Sequence, residues 1–260
     1  MSVNLFDGSV TPELIQPKKV KKSILCGSGQ CNLATVLAVD TPEGTDTHRP
    51  LAHGILLQMV RDEIEKQGFT IRKEEYSLAK QGAQMFAIFH LEGENGEHGP
   101  AIAMRNSHDK SLSIMLLAGG SIFICSNLMA HVDGIKILKR HTKNSGEMLG
   151  YIIYQAVESL RPLYDTLVSN MESLKTIPVS LDEGYECIGR AMGNGMVKPQ
   201  QATIVFKDWR NARHEEFSDR NANSLYNCFT QAFKDRSQPS YRMEQQVQLH
   251  QFFGNQYGYN

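Results

Sequence analysis

Three polar segments in the middle of the chain have residue types and spacing that can do chemistry. Arg105-Asn106-Ser107-His108-Asp109-Lys110 puts a guanidinium, an amide, an imidazole, a carboxylate and an ammonium side by side. Cys125-Ser126-Asn127-Leu128 closes the apolar run Ile122-Phe123-Ile124. Lys136-Ile137-Leu138-Lys139-Arg140-His141-Thr142-Lys143 is a basic strip. All three interrupt an apolar β pattern near strand ends, where a fold displays sites.

The strip is the best phosphate candidate. If it is extended, alternation puts Lys139, His141 and Lys143 on one face, and Arg140 joins Lys136 only where the segment bends or turns helical. Arg105 and Lys110 lie close by if the sheet brings them across. A basic strip beside a β surface suits a nucleic-acid backbone, and it equally suits a solvated face. His108-Asp109 resembles an orienter and a base, since a carboxylate can fix an imidazole tautomer. Adjacent strand residues point to opposite faces, so the pair works only at a turn, and an Asp at a tight turn commonly caps its own backbone. A nuclease built on His108, Asp109 and His141 lacks the carboxylate cluster such metal chemistry needs. Ser107 has no flanking glycines to make a nucleophile elbow. Cys125 reads as core, because nothing nearby favours its thiolate. Trp209, followed by Arg210 and Arg213, reads as core or as a base-stacking group.

Composition narrows the classes. The 260 residues allow one or two domains and a core without staples, and the net charge of −1 gives no whole-molecule attraction to nucleic acid or membranes. Charge is local: from Met104 to Lys143 there are six Lys or Arg against two acids. Five cysteines without paired spacing argue for reduced thiols, and neither His-Glu-x-x-His nor a paired Cys-x-x-Cys occurs. No metal or cofactor is implied. Gly27-Ser28-Gly29 lacks the residues of a phosphate loop. No apolar run approaches the length of a membrane span, and the N-terminus has no signal layout, so an intracellular protein is expected.

The elements that must position these groups follow from periodicity. Residues 1–47 read as an arm, with a short strand at 34–39 and a basic run at 18–22. Residues 48–178 read as an α+β core domain. In it a helix at 49–67, capped by Thr47, feeds an antiparallel meander of about five strands (69–79, 84–92, 100–107, 111–118, 121–127) with turns at Asn95-Gly96 and Gly119-Gly120. A long helix from Ser145 follows, kinked by Pro162. Residues 179–260 read as a helical region packed on the core: one helix after Ser180 to Gly193, then 199–210, 219–235 and 240–253. Gln245, Gln246, Gln248 and Gln251 are expected to face solvent or a partner.

From about Thr47 to Gly254 the chain resembles the phage/plasmid-like family of uncharacterised proteins carried by bacterial mobile elements. The resemblance rests on Tyr76-Ser77-Leu78-Ala79-Lys80-Gln81-Gly82 and Met85-Phe86-Ala87, Arg105 to Ser111, Cys125 to Leu128, Arg140-His141-Thr142 and Leu225-Tyr226-Asn227, in that order. It implies a phage or plasmid origin, a setting in the host cytoplasm, and genes near replication, recombination and anti-restriction functions. In architecture the chain is also similar to single-strand annealing proteins of the RecT/Erf type.

The expectation is therefore a mobile-element protein that binds single-stranded DNA to assist recombination or annealing. Arg105, Lys110, Lys136, Lys139, Arg140 and Lys143 would contact phosphate, with Asn106, His108 and Asn127 as positioning groups and His141 also at the nucleic-acid interface. The long amphipathic helix and aromatic tail allow a homo-oligomer. The alternative is an anti-defence protein that binds a host immune or restriction component.

Overall fold

The structure is a computed structural model that describes residues 29–45, 48–93, 98–122, 127–138, 145–236 and 239–259. Six antiparallel strands follow one another across a single sheet: β1 (Gln30–Cys31), β2 (Ile71–Ala79), β3 (Gln84–Leu91), β4 (His98–Ser107), β5 (Ile114–Ile122) and β6 (Asn127–Leu138). From β2 onward short connections dictate this order, because a hairpin can only join antiparallel neighbours, while β1 reaches the edge of β2 across α1 and α2. The architecture is α+β, with helices after the sheet, as expected.

Pairing gives the sheet two ends. At the upper end lie Ala79 and Gln84, Ser107, Ile114 and Leu138; at the lower end lie Ile71 and Leu91, His98, Ile122 and Asn127. Pleating gives it two faces. The front face carries Tyr76, Met85, Ala87, Phe89, Ile102, Met104, Leu116 and Ala118, and it packs on α2 (His53–Lys66) and α3 (Ser145–Glu158). The back face carries Phe86, Ile88, Ala101, Ala103, Met115 and Leu117, and it meets Met243 and Val247 of α8 (Pro239–Tyr257). A second core joins α8 to α4 (Leu160–Lys175), α5 (Leu181–Gly193), α6 (Pro199–Arg210) and α7 (Ala222–Arg236). Helix α8 is thus buried on most sides between sheet and helical layer. Gln245 and Gln246 are buried there, with Gln245 donating to the Met196 carbonyl at 3.2 Å, while Gln248 and Gln251 are exposed. The expectation of four solvent-facing glutamines therefore holds for only two.

Several boundaries differ from the sequence reading. Residues 34–39 do not form a strand: α1 (Leu33–Leu37) stands there, because the Asn32 side chain accepts from the Thr35 N–H at 2.9 Å and caps a helical turn. Inside the expected arm, Gln30 and Cys31 pair with β2 and α1 buries Val36 in the core. The N-cap of α2 is Ala52 without a side-chain bond, and Thr47 lies outside the described residues. Gly119-Gly120 is not a turn but the middle of β5, opposite an irregularity in β6 where Leu117 pairs with Ile135 and Gly119 with Ala130. Glycines in a strand commonly mark such a bulge. The last strand is therefore residues 127–138, and the expected Asn95-Gly96 turn falls outside the described residues. The long helix breaks at Ser159 into α3 and α4, since Pro162 has no N–H to offer the Glu158 carbonyl. Ser180 opens α5 with a capping box to Glu183.

Candidate nucleic-acid interface

The 105–110 segment ends β4 at the upper end, and its side chains part company there. Arg105 points to the back face, 7% exposed, and donates to Glu244 of α8 at 2.9 Å and to the Ser113 carbonyl at 3.4 Å. It clamps α8 to the sheet. Asn106 points to the front and donates to the Leu51 carbonyl at 2.7 Å and to His53 Nδ1 at 3.0 Å. His53 Nε2 donates to the Gly82 carbonyl at 2.9 Å, so both ring nitrogens are used in the neutral form. Burial, reinforced by the neighbouring His108, pushes the His53 pKa down to about 4, although the Gly82 bond works the other way. The His108 ring stacks on His53 at 3.9 Å and donates to the same Leu51 carbonyl at 2.9 Å.

Asp109 completes the turn. It accepts the Ser111 N–H at 3.1 Å, the Lys80 ammonium at 3.1 Å, and the hydroxyls of Ser107 and Ser111. Burial pushes the carboxyl up, but these four donors together hold it well below the usual carboxylate range. Lys110 carries φ 62, a left-handed turn residue whose side chain is exposed. His108 and Asp109 thus act on backbone and turn rather than on each other. The cluster also holds a strained partner turn: Lys80 and Gln81 both have positive φ, pinned by the Asp109 ion pair and the His53–Gly82 bond.

The remaining expected site residues divide by end. Met104 pairs with Leu116 in register, and Leu116 with Lys136, so β6 sets Lys136 one residue below the level of Arg105, two strands away. The chain leaves β6 after Leu138 at the same end as the 107–111 loop. Lys139, Arg140, His141 and Lys143 lie outside the described residues, as does Cys125. Asn127 opens β6 at the opposite, lower end, paired with Ile122. The structure therefore brings Asn106 and His108 together, sets Lys136 near their level, and separates Asn127 from both.

Sequence reading missed the next feature. Helix α3 begins at Ser145, just after the basic strip, and runs down the front face from the upper end to the lower. Its outward side shows Met148 at 58%, Tyr151 at 60% and Tyr154 at 41% exposure. Gln155 donates to the Tyr151 hydroxyl at 2.8 Å, and the Tyr154 hydroxyl donates to Glu158 at 2.8 Å, which lays both rings along the helix surface. Tyr154 is reached from α2 by Gln67, whose amide donates to the Tyr154 carbonyl at 3.4 Å. The available signal was the i, i+3 spacing of two tyrosines on the face opposite the Leu149–Ile153–Ala156 stripe.

The back face holds a buried polar chain. Ser121 Oγ lies 3.0 Å from His90 Nδ1, and His90 Nε2 lies 3.5 Å from Glu75 Oε1, which also pairs with Lys73. Ala101 and Gly99 on the intervening strand leave room for the ring to reach across. The order of groups is that of a nucleophile relay, but Ser121 is fully buried, so the chain serves the fold. Trp209 is core: its Nε1 donates to the Leu181 carbonyl at 3.2 Å, and Arg213 is held by Asp208 at 2.7 Å and Asp235 at 2.9 Å. Among the described residues no group of three His, Cys, Asp or Glu side chains is disposed to hold a metal ion, and no helix is long and apolar enough to cross a membrane.

The family model described as a domain of unknown function, DUF932, matches residues 46–250, and the chain belongs to that family. No solved structure matches it.

Proposed function

We propose that this chain is a mobile-element protein, of phage or plasmid origin, that binds single-stranded DNA in the bacterial cytoplasm and assists recombination or annealing. One observation carries the reading: two tyrosine rings stand in water on α3, directly after a segment that holds Lys136, Lys139, Arg140 and Lys143. Cations that track a backbone beside aromatic faces that take successive bases are the two parts of a single-strand site. Tyr151 and Tyr154 are three residues apart, roughly 4.5 Å of helix rise, close to the spacing of neighbouring bases. Each stacked base contributes about 1–3 kcal/mol. His108 and Asn106 act here as positioning residues for the upper rim, and Lys110 adds an exposed charge.

Fluorescence anisotropy with a labelled single strand and the matching duplex tests this. Four phosphate contacts on a single strand predict that affinity falls roughly 50-fold between about 50 and 200 mM salt. Tyr151→Ala/Tyr154→Ala should lose about tenfold or more while salt dependence persists, and Lys139→Ala/Arg140→Ala should flatten the salt slope. Affinity that ignores both salt and these substitutions ends the proposal.

A second reading is favoured by Leu37 and Ile55, which are 58% and 53% exposed on the adjoining helices α1 and α2. An apolar row of this kind fits a protein partner, such as a host defence component. Recovery of that partner on a surface lost in Ile55→Asp, with no single-strand affinity at low salt, would select it.

A further inference from the structure

A cavity of about 310 Å3 opens at the lower end of the sheet, where α3 gives way to α4. Its walls include Phe69, Glu92, Pro100, Arg161, Tyr164 and Asp165. One wall is a single helix face, since Arg161, Tyr164, Asp165 and Val168 follow the i, i+3, i+4, i+7 spacing. The opposite wall is Phe69, just after Gly68 ends α2, with Glu92 and Gly93 beyond β3.

Three exposed charged groups border the cavity. The Arg161 guanidinium lies over the Phe69 ring, 5.7 Å from its centre. Among the described residues neither Arg161, Glu92 nor Asp165 has an ion pair, although all three border one cavity. A cation and two carboxylates that line one cavity without an ion pair among them suit a ligand that offers both an anion and hydrogen-bond donors. Two aromatic rings on the walls suit a planar ligand.

We infer that this cavity binds one nucleotide whose base carries an exocyclic amino group. The base lies against Phe69 and Tyr164, its amino group donates to Asp165 or Glu92, and its phosphate meets Arg161 at the mouth. The volume is at the lower end of small-molecule sites, which run from about 300 to 1,000 Å3. The position is also apt: a strand stacked on Tyr151 and Tyr154 is carried down α3 to this cavity. The strand-end assignment rests on the single-strand reading above; the nucleotide site itself does not.

The test uses the full chain and two kinds of probe. In the first arm, thymidine oligonucleotides that end in dG, dC or dT are compared by anisotropy. The dG and dC ends should bind about tenfold tighter, the discrimination of one good base contact. Glu92→Gln/Asp165→Asn should erase that preference and leave the all-thymidine affinity within twofold, while Arg161→Ala weakens all three. In the second arm, calorimetry measures free dGMP and dTMP. Binding of dGMP alone, lost in Asp165→Asn with no oligonucleotide affinity, keeps the nucleotide site and sinks the single-strand function. Tyrosine-dependent strand binding with no end preference and no dGMP binding overturns the nucleotide site and leaves the function standing. All three acid and base positions are exposed, and unchanged melting of the variants guards against a folding artefact.

Discussion

The two faces of the sheet are buried to a similar depth and built from different materials. In front, Met85, Phe89, Ile102, Met104 and Leu116 meet α2 and α3 with hydrocarbon, and polar groups stand at the margins, Asn106 and His53 at the upper rim and Arg61 with Glu74 along the β2 side. Behind, Glu75, Ser77, His90, Arg105 and Ser121 are buried among the apolar residues. Hydrocarbon burial is non-directional and stabilises any close packing, whereas hydrogen-bonded groups contribute little net energy and penalise every wrong arrangement. The front face thus holds the fold together, and the back face fixes where α8 and the helical layer dock. It follows that the front layer can spare the outward side of α3 for a ligand.

The largest effect should come from the front. Phe89 is fully buried, edge-on to Tyr76, with the Arg61 guanidinium 5.3 Å from its ring. Phe89→Ala should cost about 3–5 kcal/mol in urea unfolding. A loss under about 1 kcal/mol would dissolve the contrast between the faces.

Acid should attack the front rim next. His53 is held near 4 in the fold against about 6.5 when unfolded, so its contribution is complete above pH 6.5 and disappears as pH falls toward 4. That difference corresponds to roughly 3 kcal/mol, visible as a fall in unfolding free energy over this window. Asp109, with its lowered pKa, contributes above the ordinary carboxylate range and is lost only at lower pH still. His53→Gln should flatten the first step and leave the second.

The back face calls for a double-mutant comparison. His90→Leu strips a partner from buried Glu75 and should cost about 3 kcal/mol, whereas Glu75→Leu/His90→Leu should come within about 1 kcal/mol of the parent. Equal losses would mean that the chain stabilises rather than specifies. The smallest effect belongs to the surface: Lys80→Ala removes an ion pair with Asp109 whose lysine is 58% exposed, worth about 0.5 kcal/mol or less.

The meander was readable because each strand is a run of β-formers bounded by a turn, as at Lys80-Gln81-Gly82. Helix α6 was readable to the residue, because Pro199 starts it where proline is tolerated. Gly119-Gly120 misled because a glycine pair signals a turn locally, while here it gives way opposite a bulge in the neighbouring strand. The 34–39 run misled because Thr35, Val36 and Val39 are β-branched and favour a strand, whereas Ala34, Leu37 and Ala38 favour a helix and one asparagine cap tips the balance. Of the site, the basic strip and the 105–110 loop were visible as polar interruptions. That Arg105 would face away from Asn106 follows from pleating alone, but Glu244 as its partner lies 139 residues away and no local pattern points to it.

The sequence by itself determined the α+β class, the antiparallel order and most helix starts, because these depend on hydrogen bonds and periodicities that close within a few residues. Only the tertiary structure decided which polar groups are spent on the fold. Pairing between distant segments turned His108 and Asp109 inward to a turn, buried Ser121 and His90 under the helical layer, and left Tyr151, Tyr154 and the Arg161 cavity open to solvent.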